Sequence, residues 1–268
     1  MIKVVNFVQT IKRIVRILYK DAVFLLSEGY AKSKRSVFVQ RQPRITFVTG
    51  ATADYYHAVL RLVSSVRKYE PGSKMVVWDL GLTGKQVMEL CSMEGLVLRK
   101  FRYEDYPDHY NPNTCFAGSY AWKATILAFE LKSDDQYLMW LDAACVLRSP
   151  LMALRKKAKK RGIFCPTNEA KIGRWTHMET WMRMSANSEW HNLKSVSSGM
   201  VIVNITRSSA RNLVKRWSEL SSEKEVITPD GASYDNHRYD QSLLTLLLLQ
   251  NNMYFDDPYH IGVRVVRE

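Results

Sequence analysis

Apolar residues recur at three- and four-residue spacing from the first turn of the chain. Val4, Phe7, Val8, Ile11, Ile14, Val15, Leu18, Ala22 and Leu25 form one stripe, with Lys12, Arg13, Arg16 and Lys20 opposite. That period marks an amphipathic helix. A bilayer span needs about 18 consecutive apolar residues, and here a Lys or Arg interrupts the run every few positions. A secretory leader would need an unbroken apolar segment and a small-residue cleavage site, and neither is clear. Residues 1–30 are therefore expected to form a basic helix. It would lie in the plane of an anionic membrane surface or pack on its own domain or a partner chain. Residues 31–44 are polar and basic and read as a linker.

Beyond Arg44 the pattern becomes an alternation of strands and helices. Ile45–Thr49, Lys74–Asp79, Leu96–Phe101 and Gln136–Leu141 read as strands, the last apolar along its whole length. Tyr56–Tyr69 has Leu60, Val63 and Val66 on one helical face, Thr83–Glu94 opens on a capping Thr and closes at Gly95, and Ser119–Leu131 is a third helix. This β-α-β-α-β order predicts a parallel, doubly wound α/β sheet with its site at the carboxyl ends of the strands. Arg161–Pro166 and Val196–Asn204 are strand-like, and Arg207–Leu220 and Asp240–Asn251 are helical. The stretch between those two strands carries Trp175, Trp181 and Trp190 with little period. An irregular stretch of that length suits a lid or binding loop. Residues 45–268 then make one domain.

Composition narrows the function. At 46% hydrophobic and 24% charged, the 268 residues suit a globular domain and exclude a disordered or collagen-like chain. The formal charge is +13, concentrated in 1–44 and 155–161. Nucleic acid, an anionic membrane and a phosphorylated substrate each attract such a chain. No helix-turn-helix, zinc-finger or RNP-type motif occurs, so nucleic acid is set aside. The run Arg155–Arg161 is a solvated helix face or a membrane-docking patch. Cys91, Cys115, Cys145 and Cys165 are scattered, which argues against a zinc site or a disulfide scaffold and for free, mostly buried thiols.

The chemistry centres on Asp142. The apolar strand Tyr137–Leu141 delivers this carboxylate to the sheet edge, where it can bind a metal, a ribose hydroxyl or a proton, or simply cap a turn. Its companions follow in order: Thr49-Gly-Ala-Thr-Ala-Asp54-Tyr55-Tyr56, Trp78-Asp79-Leu80-Gly81-Leu82-Thr83, Tyr120-Ala-Trp-Lys123, Ser197-Ser198-Gly199, Tyr239-Asp240-Gln241-Ser242 and His260-Ile-Gly262-Val-Arg264. The set resembles the GT-A glycosyltransferases. Among them it resembles especially the glycogenin and galactosyltransferase-like family eight and related uncharacterised transferases, over nearly all of 45–264.

The resemblance implies a Rossmann-like, mainly parallel mixed sheet flanked by helices. It also implies sugar transfer from a nucleoside diphosphate, expected to be a UDP-sugar, to a hydroxyl of a glycan or glycolipid. By that resemblance Thr49, Gly50, Ala51, Asp54 and Tyr55 hold the nucleotide, and Lys123 lies over the donor. Asp142 matches the first Asp of the Asp-x-Asp motif, while Ser198 and Gly199 match a turn beside the sugar. Asp240 and Gln241 face the reacting carbon. As the base of an inverting reaction, or beneath the anomeric centre of a retaining one, Asp240 has a role, and it could also cap the following helix. His260 would join Asp142 on Mn²⁺ or Mg²⁺, and Arg264 would grip the diphosphate. Ala144 stands where the second, principal metal-binding Asp belongs. Metal is therefore expected to be weak or dispensable, with Lys123 and Arg264 neutralising the leaving group. The same substitution suits an inactive GT-A-like domain that binds a glycan or protein partner. Enzyme activity on the cytosolic face of a membrane is the expected setting, in polysaccharide or glycolipid biosynthesis.

Overall fold

The computed structural model describes residues 42–258 and 262–266. The helix expected over 1–30, residues 31–41 of the linker, and His260 lie outside the described residues.

The strands are β1 (Ile45–Ala51), β2 (Met75–Asp79), β3 (Leu96–Lys100), β4 (Tyr137–Leu141), β5 (Cys145–Leu147), β6 (Ile163–Phe164), β7 (Thr167–Lys171), β8 (Lys194–Val196), β9 (Met200–Asn204) and β10 (Val263–Val265). The α-helices are α1 (Tyr56–Tyr69), α2 (Gly84–Cys91), α3 (Ala121–Glu130), α4 (Met152–Arg161), α5 (Met178–Arg183), α6 (Ser208–Ser222), α7 (Lys224–Ile227) and α8 (Tyr239–Gln250). Thr83 caps α2 with a reciprocal box: its side chain accepts from Gln86 N while the Gln86 side chain accepts from Thr83 N.

The main sheet has the order β3-β2-β1-β4-β9-β6. Its first four strands are parallel, as the sequence pattern predicts. The remainder makes the sheet mixed, as the resemblance implies, because β9 runs antiparallel to β4, and β6 antiparallel to β9; the strand pattern alone predicts only the parallel part. The single strand expected over Val196–Asn204 is two: β8 pairs with β7 in a side ribbon, and β9 enters the main sheet. Ser197–Gly199 form the turn between them, beside the end of β4.

Both faces of the sheet are covered. Leu138 and Trp140 of β4 join Leu127, Trp217 and Leu243 in one core. Tyr137, Met139 and Leu141 join Phe47, Leu62, Val66 and Leu154 in the other. A strand buried on both sides alternates between two cores, and so reads as an unbroken apolar run.

The basic run of α4 divides by partner. Arg155 is buried against Glu70, with Nη1 and Nη2 at 2.8 and 2.6 Å from its two carboxylate oxygens. Lys157 and Arg161 both pair with Asp257. Lys156, Lys159 and Lys160 are exposed. The tryptophan-rich stretch is mostly packing. Trp181 is buried in the first core, Trp190 leans on it, and one face of Trp175 lies 3.7 Å from the Arg238 guanidinium. The cysteines are free thiols, Cys145 and Cys165 buried, with burial pushing the Cys145 thiol up to about 12. Among the described residues no helix is long and apolar enough to cross a membrane.

Candidate active site

Where β4 ends, Asp142 emerges at the carboxyl edge of the sheet, its N–H donating to Gly199 O at 2.9 Å. The Trp140 side chain packs into the core below, and its indole Nε1–H donates to Asp142 Oδ1 at 2.7 Å. Lys123, in the first turn of α3, reaches the same point. Its Nζ lies 3.1 Å from Asp142 Oδ1 and 3.1 Å from Asp240 Oδ2, and donates to Ser198 Oγ at 3.3 Å. Asp240 Oδ2 is held by this ion pair with the ammonium. The side chains of Lys123 and Asp240 are each 4% exposed, and that of Asp142 is 46% exposed. Two carboxylates therefore share one buried ammonium, and one of them opens to solvent.

The electrostatics follow from this arrangement. Burial alone would lower the Lys123 pKa, but Asp142 and Asp240 outweigh it and hold the ammonium above its ordinary value. Burial raises the Asp240 carboxyl, against the pull of Lys123 and a hydrogen bond with Ser198. The rings of Tyr120, Trp122 and Trp140 stand 5.6, 5.9 and 5.7 Å from Lys123 Nζ and wall the ammonium off from water.

Five of the residues singled out in the sequence thus meet: Lys123, Asp142, Ser198, Gly199 and Asp240. Gly199 is required by proximity, since a Cβ there would lie 2.7 Å from Asp142 Oδ2. Asp240 sits inside the first turn of α8, behind Arg238 at the cap position, and its side chain faces Lys123 rather than its own helix. Gln241 is half-buried beside it and makes no side-chain hydrogen bond among the described residues.

The others lie further out or in different roles. Thr49, Gly50 and Ala51 are not a loop; they are buried strand, paired with Val77, Trp78 and Asp79 of β2. The exposed turn begins after them, and carries Asp54 and Tyr55 at the surface. Arg264 is exposed on β10, which pairs with β5, and Val266 N donates to Ala144 O at 2.8 Å. The C-terminal segment is thereby laid against the turn that follows Asp142. Lys123 is engaged here by two carboxylates and a hydroxyl.

The resemblance implies a divalent ion here, and of its two expected ligands only Asp142 is among the described residues. Asp142 offers Oδ2, position 144 offers a methyl, and the Lys123 ammonium already occupies the space beside the carboxylates. No group of three His, Cys, Asp or Glu able to hold a metal occurs among the described residues. Sequence reasoning missed the Trp140 indole, because an apolar strand residue gives no sign that its N–H reaches the site.

A family model described as a protein of unknown function (DUF1647) matches residues 8–128. No curated protein matches. Among solved structures, the galactosyltransferase LgtC in complex with donor and acceptor sugar analogues is similar at 13% identity and a TM-score of 0.53, over 82% of this chain and 86% of that one. An active-site mutant of LgtC is similar at 13% identity and a TM-score of 0.49, over 74% and 70% of the two chains. The WbbM bifunctional glycosyltransferase is similar at 12% identity and a TM-score of 0.48, over 77% of this chain and 37% of that one. This chain therefore spans little more than a third of WbbM. The first of these likenesses carries the fold, which is the GT-A fold of nucleotide-sugar glycosyltransferases.

Proposed function

We propose that this chain is a glycosyltransferase that moves a sugar from a nucleoside diphosphate, a UDP-sugar by expectation, to a hydroxyl of a glycan or glycolipid. One observation carries the reading: on a GT-A fold, two carboxylates are fixed around a buried ammonium at the carboxyl edge of the sheet. Carboxylates accept hydrogen bonds from sugar hydroxyls, and a pair held by Lys123 is set before the sugar arrives. LgtC, which shares the fold, was solved with donor and acceptor sugar analogues.

In the transfer, the bond from the anomeric carbon to the diphosphate oxygen breaks, a bond to the acceptor oxygen forms, and the acceptor's proton passes to Asp240 or to the departing diphosphate. Asp142, open at Oδ2, would orient donor hydroxyls. Asp240, tied to Lys123 and Ser198, would hold the reacting face, and the unengaged Gln241 amide would reach the anomeric centre beside it. Negative charge develops on the diphosphate, and Arg264 on β10 would neutralise it. A divalent ion, if bound, would supply further neutralisation while held mainly by the diphosphate itself. Association of residues 1–30 with an anionic membrane, on the cytosolic side, belongs to the same proposal and is supported by their charge pattern alone.

The test is a thermal-shift panel of UDP-, GDP-, ADP- and CDP-sugars, with Mn²⁺ or with EDTA. A ligand that binds only the folded state raises its midpoint, by about 2.7 kcal/mol of stability at a hundredfold excess over Kd. A UDP-sugar should stabilise the chain, and most of the shift should survive EDTA. No shift with any nucleotide sugar would end the transferase reading. A shift without donor hydrolysis or transfer would instead favour a binding domain that has lost catalysis, the reading suggested by Ala144.

A further inference from the structure

Beside the Lys123–Asp240 pair stands a group of aromatic rings that the transfer chemistry leaves unused. Phe116 is 56% exposed and Tyr234 52% exposed, with ring centroids 5.8 Å apart. Phe116 also stacks 6.2 Å from Tyr239, the residue before Asp240, and lies 6.3 Å from Tyr120. The Tyr120 ring in turn faces Lys123 Nζ. A continuous row of rings thus leads from the surface to the charged centre. Clustered exposed apolar side chains with a polar surround commonly mark a binding surface.

Two devices hold these rings in place. The backbone of Ala117, Gly118, Ser119 and Tyr120 is left-handed throughout, with φ of 48, 58, 52 and 52°, and Tyr239 has φ 42°. Each such non-glycine residue costs roughly 1–2 kcal/mol, and the conformation persists only where its surroundings impose it. Here Trp122 Nε1–H donates to Ala117 O and Ser119 Oγ–H donates to His109 O, both at 3.1 Å. Gly118 lies so close to Tyr110 that a Cβ would be 2.0 Å from its carbonyl oxygen. On the other side, the Arg238 guanidinium is sandwiched 3.8 Å from the Tyr234 ring and 3.7 Å from the Trp175 ring, and donates to the carbonyls of Tyr234 and His237. Tyr234 is exposed and yet fixed. Rings set in advance lose little side-chain freedom when a ligand arrives.

The charges select the ligand. Arg238 is engaged by two rings and two carbonyls, and Lys123 by its carboxylates, so neither cation is presented to a ligand on the rings. A neutral group is favoured over a phosphate or an acid. The base of a nucleotide sugar is held away from the transferred sugar by a ribose and two phosphates. A group stacked on rings that border Lys123 therefore lies on the acceptor side. A pyranose has one face of C–H bonds and a rim of hydroxyls, which matches rings beside carboxylates.

We propose that Phe116 and Tyr234, backed by Tyr239 and Tyr120, form the acceptor subsite and stack against the C–H face of a neutral hexopyranose. The inference rests on the transferase reading of the adjoining site.

Saturation-transfer NMR on the full chain tests it, with methyl β-D-galactopyranoside and methyl β-D-glucopyranoside as probes. Transfer to the ring C–H protons of at least one hexoside is expected. It should fall at least threefold in the double variant Phe116→Leu/Tyr234→Leu, whose two positions are exposed and leave the core intact. The midpoint shift given by nucleotide sugars should be unchanged in that variant. Transfer retained in the variant, or absent from the wild-type chain with both hexosides, overturns the proposal. Loss of the nucleotide-sugar shift in the variant also overturns it, by placing the base on the rings. Hexoside transfer that depends on the rings, in a chain no nucleotide sugar stabilises, would sink the transferase reading and leave a sugar-binding surface.

Discussion

Replacing Lys123 by Met keeps the volume of the side-chain stem and removes the charge that holds the site together. At 3.1 Å and an effective dielectric near 20, each carboxylate contact is worth about 5 kcal/mol of gross attraction. Asp142 is half-exposed, so solvent screens its share. Asp240 is buried and would keep only Ser198. Removing one partner of a buried pair typically costs about 3–5 kcal/mol, since the other charge is left uncompensated. For a chain of this size, that lowers the thermal midpoint by roughly 6–20 °C. The loss should depend on pH. Burial already raises the Asp240 carboxyl, and without Lys123 it rises further. A carboxyl raised on folding keeps its proton in the native state. Its stability contribution is full below the unfolded value of about 4 and is lost as pH climbs through the folded value. The deficit of Lys123→Met against wild type should therefore be larger at pH 8 than at pH 5 in thermal melts, and Lys123→Met/Asp240→Asn should regain most of it. A deficit under about 1 kcal/mol that is flat in pH and untouched by Asp240→Asn would show that the pair is not the charged, buried unit derived above.

Gly199→Ala places a methyl group 2.7 Å from Asp142 Oδ2. The carboxylate must move, so transfer measured with a UDP-sugar donor should fall at least tenfold while the melting midpoint changes by only a few degrees; full activity would mean that Asp142 is not held where it acts. His237 accepts from His177 N at Nδ1 and contacts Ile227 O through Nε2, and burial lowers its pKa to about 4. A lowered histidine favours folding above the unfolded value of about 6.5 and loses that contribution as pH falls toward about 4, at most about 3 kcal/mol. Urea melts at pH 7 and 4.5 should show that loss in wild type and a smaller one in His237→Gln. A chain lacking residues 1–30 should no longer sediment with phosphatidylserine vesicles. Binding that persists would move docking to Lys156, Lys159 and Lys160 of α4.

The half of the fold built from β1 to β4 was legible because each element there advertises its own burial. Helix α1 matches the expected Tyr56–Tyr69, and β4 reads as apolar at every position. The direction of β9 and β6 was not legible in the apolar pattern. An apolar run such as Met200–Asn204 looks the same whether it enters the sheet parallel or antiparallel, and only the Ser197–Gly199 turn reveals that it doubles back. In the site, Asp142, Lys123 and Asp240 could be picked out by type and order, but their mutual pairing depends on three elements distant in sequence. The same applies to the rings. Phe116 and Tyr234 lie on different loops, and nothing in their neighbours announces that folding sets them 5.8 Å apart.

The left-handed turn from Ala117 to Tyr120 divides this region into parts that can and cannot be re-engineered. Position 118 admits no side chain, and the residues on either side of it are fixed by hydrogen bonds to Ala117 and from Ser119. Phe116 is outside the left-handed run and points to solvent. Libraries aimed at new acceptors should therefore hold 117–120 constant and vary 116 together with 234, whose backbone lies on a separate loop. Selectivity can then be changed without rebuilding the scaffold beneath it.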